Sequence, residues 1–165
     1  MRKRKSSDPG RRTPHDSIKK RQRTIAAPFA EYKPSEVIDT PWIYAHRKVG
    51  SYSKATENSG KWLIFTPIEK VDETWAVIKE ATEAGKLGDS VKVATMYPNP
   101  YNKDPSRRVI CVYTYDWTDE VDVHRVRQVL RELGFTWKLA YKADRDTLEG
   151  KYRHTGHTRI SKYYE

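Results

Sequence analysis

"KWLIFTPIEKVDETWAVIKEATEAGKLGDSVKVATM", residues 61–96, changes its apolar period twice and so decides the fold. "KWLIFT" is a run dense in apolar and β-branched residues, closed by Pro67, and reads as a strand. Val71, Trp75, Ile78 and Thr82 then recur at helical spacing, with Asp72 near the start and Gly85 past the end, which predicts an amphipathic helix. "SVKVATM" returns to a period of two as a second strand.

Working outward, "RRVICVYT" (107–114) predicts a third strand. "DWTDEVDVHRVRQVLRELG" predicts a second helix with Thr118 as N-cap, an apolar stripe of Val126, Val129, Leu130 and Leu133, and Gly134 as the stop. "WKLAYK" (137–142) is a fourth strand, and "GKYRHTGHTRISKYY" adds a short edge strand. The order β-α-β-β-α-β is packed most economically as an α+β two-layer sandwich, a curved, mainly antiparallel sheet with helices on one face.

The chain of 165 residues carries a net charge of +10, and most of it sits in one place. Residues 1–23 hold ten basic side chains against Asp8 and Asp16, with almost no apolar surface to offset ordering entropy. This tail is expected to be disordered. Its clusters at 2–5 and 19–23 resemble a two-part nuclear-import address, which gives an import receptor as partner and a distribution between nucleus and cytoplasm; an RNA-binding arm and a solubilising tail are the alternatives. Residues 24–58, with Pro28, Pro34 and Pro41, read as an extended, partly ordered segment laid against the domain by Phe29, Tyr32, Trp42 and Tyr44. Residues 59–165 form the domain.

No apolar stretch approaches the roughly 20 residues of a membrane span, so a soluble, intracellular protein without a membrane partner is expected. The single cysteine, Cys111, lies in an apolar run and reads as an inert core thiol. His154 and His157 read as a polar turn, and His124, among Arg125, Arg127 and Arg131, as surface. No zinc spacing, Gly-rich phosphate loop or Ser/His/Asp signature is present, and no metal or cofactor is expected.

Alternation along the strands points to a site. Val91, Val93 and Thr95 oppose Lys92 and Ala94; Trp137, Leu139 and Tyr141 oppose Lys138, Ala140 and Lys142. The helix-free face is thereby expected to carry Lys92 and Lys142 beside alanines. Arg108 joins them if Val109, Cys111 and Tyr113 turn to the core. Lys61 joins them too, although its strand is apolar on both faces and alternation leaves its side open. Cations converging over small residues suit a phosphate-bearing ligand, whereas the plainer reading is a solvated outer face. "MYPNPYNKDPSR", a connection long enough to be a binding element, is expected to flank that face.

"RRVICVYTYDWTD" followed by "LAYKADRDTLEGKYR" resembles the basophilic leukemia-expressed (Bles) family over about residues 59–153. The resemblance implies the fold of translation initiation factor 4E, in which aromatic side chains hold a methylated base and basic residues hold phosphates. No tryptophan pair carries over: Trp62, Trp75 and Trp137 are accounted for as core positions, and Trp42 and Trp117 lie in less regular segments. Residues 60–96 are also similar to putative phosphothreonine lyase domain proteins and to bacterial effector lyases with a strand Lys-x-His. That similarity implies a base at Lys61 and a phosphate contact at Lys92, but Leu63 stands where the proton-donating histidine would be. The reading favoured by these features is a binding domain for RNA or a nucleotide through Lys61, Lys92, Arg108 and Lys142. Phosphothreonine-lyase-like β-elimination on a phosphoprotein and a ligand-free protein-interaction module are the competitors.

Overall fold

The computed structural model describes residues 32–150 and 161–165. The basic tail, Phe29 and the His154/His157 turn lie outside the described residues. The elements are β1 (Trp42–His46), β2 (Gly60–Pro67), α1 (Ile68–Glu83), β3 (Ser90–Ala94), β4 (Arg107–Thr114), α2 (Glu120–Glu132), β5 (Ala140–Ala143), α3 (Asp144–Leu148) and β6 (Tyr163–Tyr164). The six strands form one antiparallel sheet in the order β1-β3-β4-β2-β5-β6. The fold is α+β.

The predicted β-α-β-β-α-β series is all present, and three elements extend it. The edge strand foreseen near the C-terminus is the two-residue β6. β1 was expected only as extended chain; it pairs residue for residue with β3, from Trp42↔Ala94 to His46↔Ser90. Pro41 precedes β1 rather than interrupting it, so the strand loses no ladder donor. The short helix α3 follows β5 directly.

Alternation sorts the sheet residues. Trp62, Ile64, Val91, Val93, Ile110, Val112 and Tyr141 are fully buried and cluster with Val71, Trp75 and Ile78 of α1 and Val123, Val126 and Leu130 of α2. Trp62 also donates its indole N–H to the Val123 carbonyl at 3.2 Å. At the ends of the helices, Gly85 (φ +77°) and Gly134 (φ +101°) take the left-handed conformation that ends each run.

Three local expectations are corrected, and one buried arginine was not foreseen. The N-cap of α2 is Asp119, whose carboxylate accepts from the Asp122 N–H; Thr118 instead bonds back to Asp116, closing the turn before the helix. Arg127, one of the arginines beside His124 on α2, is fully buried. Its guanidinium donates to the carbonyls of Phe135, Trp137 and Glu165, so it gathers the chain after α2 and the last strand. Trp137, expected in the core, is half exposed because it lies ahead of β5 in the α2–β5 connection. In β4 the facing is the reverse of that expected: Arg108, Ile110, Val112 and Thr114 point with the core set, and Val109, Cys111 and Tyr113 point the other way, fixed by Leu63↔Cys111 and Lys61↔Tyr113. In this strand both faces are apolar, so the period of two carries no sign.

Candidate functional site

The sheet face opposite the core residues carries three of the four expected cations together. Lys61 on β2 lies directly between Tyr113 of β4 and Lys142 of β5. Lys92 of β3 sits beside Cys111, which in turn faces Leu63. The ε-ammonium of Lys61 is 5.6 Å from the centroid of the Tyr113 ring and that of Lys92 is 5.8 Å from it, so one phenol ring stands between two cations. Lys92 also lies over the Trp42 indole at 4.0 Å, a cation–π contact. The residue that brings this indole to the site belongs to β1, the strand that sequence reasoning left irregular.

The surroundings of the three lysines differ. Lys61 is 6% exposed and donates to the Asp144 carboxylate and, at 3.0 Å, to the Thr147 hydroxyl. Asp144 is itself held: its second oxygen accepts from the Ser59 hydroxyl at 2.8 Å, and its N–H donates to the Ser59 carbonyl at 2.9 Å. Lys92 meets aromatic rings instead of a carboxylate. Burial pushes its pKa below the ordinary lysine value and the Lys61 charge adds to that, while Cys111 and the Asp144 carboxylate pull in the opposite direction. Lys142, 5% exposed, is lowered first by burial and then by Lys61, against Asp146. Burial pushes the Cys111 thiol up to about 11 despite both lysines, which agrees with an inert thiol.

These groups line one side of a groove of about 880 Å³. Its floor is made of Leu63, Ala94, Val109, Cys111 and Ala140. Tyr97, Asn99 and Tyr101 from the β3–β4 connection border it, as that loop was expected to do, with Phe65, Trp137 and Tyr164 on other edges. Phe65, Tyr101, Trp137 and Tyr164 are each more than half exposed.

Arg108 does not join the lysines. It borders the groove from the core side, is 8% exposed, and spends its guanidinium on the backbone. Nε donates to the Thr95 carbonyl at 2.7 Å, and one terminal nitrogen to Pro105 at 2.9 Å and Arg107 at 2.7 Å. It therefore ties both ends of the β3–β4 loop to β4. Among the described residues no histidine lines the groove: His46 stacks on Tyr44 with ring centroids 6.5 Å apart, and His124 pairs with Glu165 at 2.9 Å. Among them, too, no group of three or more metal-ligating side chains occurs, and no helix is long and apolar enough to cross a membrane.

A sequence model of the family described as basophilic leukemia-expressed protein Bles03 matches residues 44–145. The chain belongs to that family. The Bles03 match begins within β1, earlier than the resemblance in the sequence suggested, and ends one residue past Asp144. Lys61, Lys92, Tyr113, Lys142 and Asp144 thus all lie inside the Bles03 segment, whereas Trp42 and Thr147 lie just outside it. Tyr113, Asp144 and Thr147 were visible only as positions of that family's motifs; their meeting at Lys61 depends on strand register and on the short α3.

Proposed function

We propose that the groove binds a phosphate-bearing ligand, and that this ligand is a nucleotide or RNA. The observation that carries the reading is the convergence of Lys61, Lys92 and Lys142 around the Tyr113 ring at one side of an apolar groove. A ligand with one anionic end and a flat, weakly polar body matches this division: phosphate against the ammonium groups, base over the small and apolar floor. Exposed aromatic rings at the rim supply stacking surfaces of the kind that hold single bases. The proposal includes the initiation-factor-4E-like arrangement, a curved sheet whose concave face binds while helices back the other, and a role in both nucleus and cytoplasm.

The competing reading is phosphothreonine-lyase-like elimination. Lys61 and Lys92 share the groove, as that chemistry asks, but the position two residues beyond Lys61 on the same face is Leu63. Leucine cannot protonate a departing phosphate. Lys61 is moreover engaged with Asp144 and Thr147, contacts that occupy the nitrogen a base would use. Binding is favoured over turnover for both reasons.

Calorimetric titration of the full chain with adenosine nucleotides and a short RNA, at low and raised salt, tests the proposal. Binding should weaken with salt as counterions are released, and Lys92→Ala should remove about 1–3 kcal/mol of it, the scale of a hydrogen bond to a charged group. Identical titrations for wild type and Lys92→Ala would assign any RNA binding to the basic tail and take it away from the groove.

A further inference from the structure

The charges around the groove are not all of one sign. Asp144 sits among the lysines and is fixed there by Ser59 through side chain and backbone, so it cannot swing away when an anion arrives. Its carboxylate touches Lys61 and acts on Lys92, while Asp146 acts on Lys142. Three ammonium groups thus face two carboxylates, which leaves a small positive surplus. Beyond the lysines, the floor runs over Leu63 and Val109 toward Arg107, which is paired with Asp104 at 3.7 Å; of the other cations at the groove, Arg108 is committed to backbone carbonyls, Lys138 lies over the Tyr164 ring at 5.6 Å, and Lys103 stands on the β3–β4 connection. A chain of several phosphates would have to lie across that apolar interval.

We infer that the groove takes a nucleotide through a single terminal phosphate, and that Asp144 is the fixed counter-charge that imposes this limit. The inference rests on the nucleotide reading above and narrows it to nucleoside monophosphates, free or as the 5′ end of an RNA strand. A phosphate monoester carries a charge between about −1.5 and −2 at neutral pH, which already uses up the whole surplus that three ammonium groups and two carboxylates leave; a triphosphate brings further charge into the neighbourhood of Asp144 and Asp146. The same carboxylate that holds Lys61 in place thereby sets how much anion the site accepts.

The test compares AMP with ATP by calorimetry on the full chain without divalent metal, counting only the component that Lys92→Ala weakens so that the basic tail is excluded. AMP should bind at least as tightly as ATP, and Asp144→Asn should shift the ATP-to-AMP preference about tenfold toward ATP, one unfavourable close charge contact being worth roughly that factor. ATP binding about tenfold tighter than AMP in the wild type overturns the inference, and needs no variant. An unchanged preference in an Asp144→Asn protein with a normal thermal melt overturns it as well. Absence of any Lys92-dependent nucleotide binding instead sinks the nucleotide reading itself. For the source of the phosphate, a trinucleotide with a 5′-phosphate should compete with AMP better than its 5′-hydroxyl counterpart. Equal competition removes the terminal-phosphate assignment, and stronger competition by a phosphothreonine peptide replaces the nucleotide with a phosphoprotein.

Discussion

Lys61 and Lys142 are direct partners across the β2–β5 pair, two nearly buried ammonium side chains facing each other in the middle of the sheet. Like charges opposite one another destabilise a sheet, by roughly 0.2–1 kcal/mol, a repulsion that Asp144 offsets at Lys61 and Asp146 opposes at Lys142. Such a local conflict is the pattern expected where binding sets the sequence. Lys142→Gln, which keeps the stem and removes the charge, should raise unfolding stability by about 0.5 kcal/mol while weakening nucleotide binding. Urea denaturation beside calorimetry reads both; a variant that loses stability and keeps full binding would mark Lys142 as structural.

Lys92 and Arg108 should separate cleanly. Lys92→Ala is expected to cost binding with a stability change under about 0.5 kcal/mol, as for most partly exposed positions. Arg108→Ala leaves the carbonyls of Thr95, Pro105 and Arg107 without their donor and should lower stability by about 1–3 kcal/mol. Thermal melts of the two variants provide the comparison, and the reverse order of effects would contradict the placement of both side chains.

The pH dependence of binding and of stability should run in opposite directions on the alkaline side. Lys92 loses its proton below its ordinary value of 10.5, so groove binding should fade before that pH is reached. A lysine lowered in the fold binds fewer protons there than in the unfolded chain, so the contribution of Lys92 and Lys142 makes stability rise with pH between their folded values and 10.5. Above about 10, the burial-raised Tyr113 and Tyr141 reverse that trend, because only the unfolded tyrosines ionise. Titration at stepped pH with parallel melts checks the signs; binding that persists unchanged beyond 10.5 would exclude Lys92 as the anion contact.

A phosphothreonine peptide should not be turned over. Incubation with the full chain is expected to release no phosphate and to leave the peptide mass unchanged, since general acid–base assistance is worth about 10²–10⁴-fold and Leu63 offers none. Leu63→His is the informative repair. Elimination by the wild type that vanishes in Lys61→Ala would establish lyase chemistry in place of simple binding.

Removal of residues 1–23 should leave the melting temperature nearly unchanged and move the protein from nucleus to cytoplasm. The segment holds ten basic residues and little that can pack. Persistent nuclear enrichment of the truncated chain would dismiss the import-address reading.

The helix–strand series was legible because residues 61–96 and 107–134 change period sharply. The lysine face was legible because Lys92 and Lys142 alternate with core residues of unambiguous kind. Arg108 misled because "VICVY", residues 109–113, carries apolar or aromatic side chains on both faces, so only the pairing with β2 decides which set faces the core. β1 was missed for a different reason. Its five residues, "WIYAH", make a strand only by lying along β3, a contact nearly fifty positions away in sequence, and so its Trp42 could not be assigned to the site. Asp144 was likewise a motif position without a role until β5 brought it beside Ser59 and Lys61.

The stacking of Lys92 on Trp42 at 4.0 Å also gives the groove an optical signature. A positive charge held against an indole ring alters the energy of its excited state, and a phosphate that draws the ammonium toward itself changes that perturbation. Trp62 and Trp75 are buried away from the groove, Trp117 lies under Lys162 at 4.4 Å, and Trp137 stands at another edge of the groove, so that a Trp137→Phe background isolates Trp42. Emission that responds to ligand and is lost in Trp42→Phe would therefore report from β1 itself, so the strand hardest to find in the sequence carries the chromophore through which occupancy can be watched in real time.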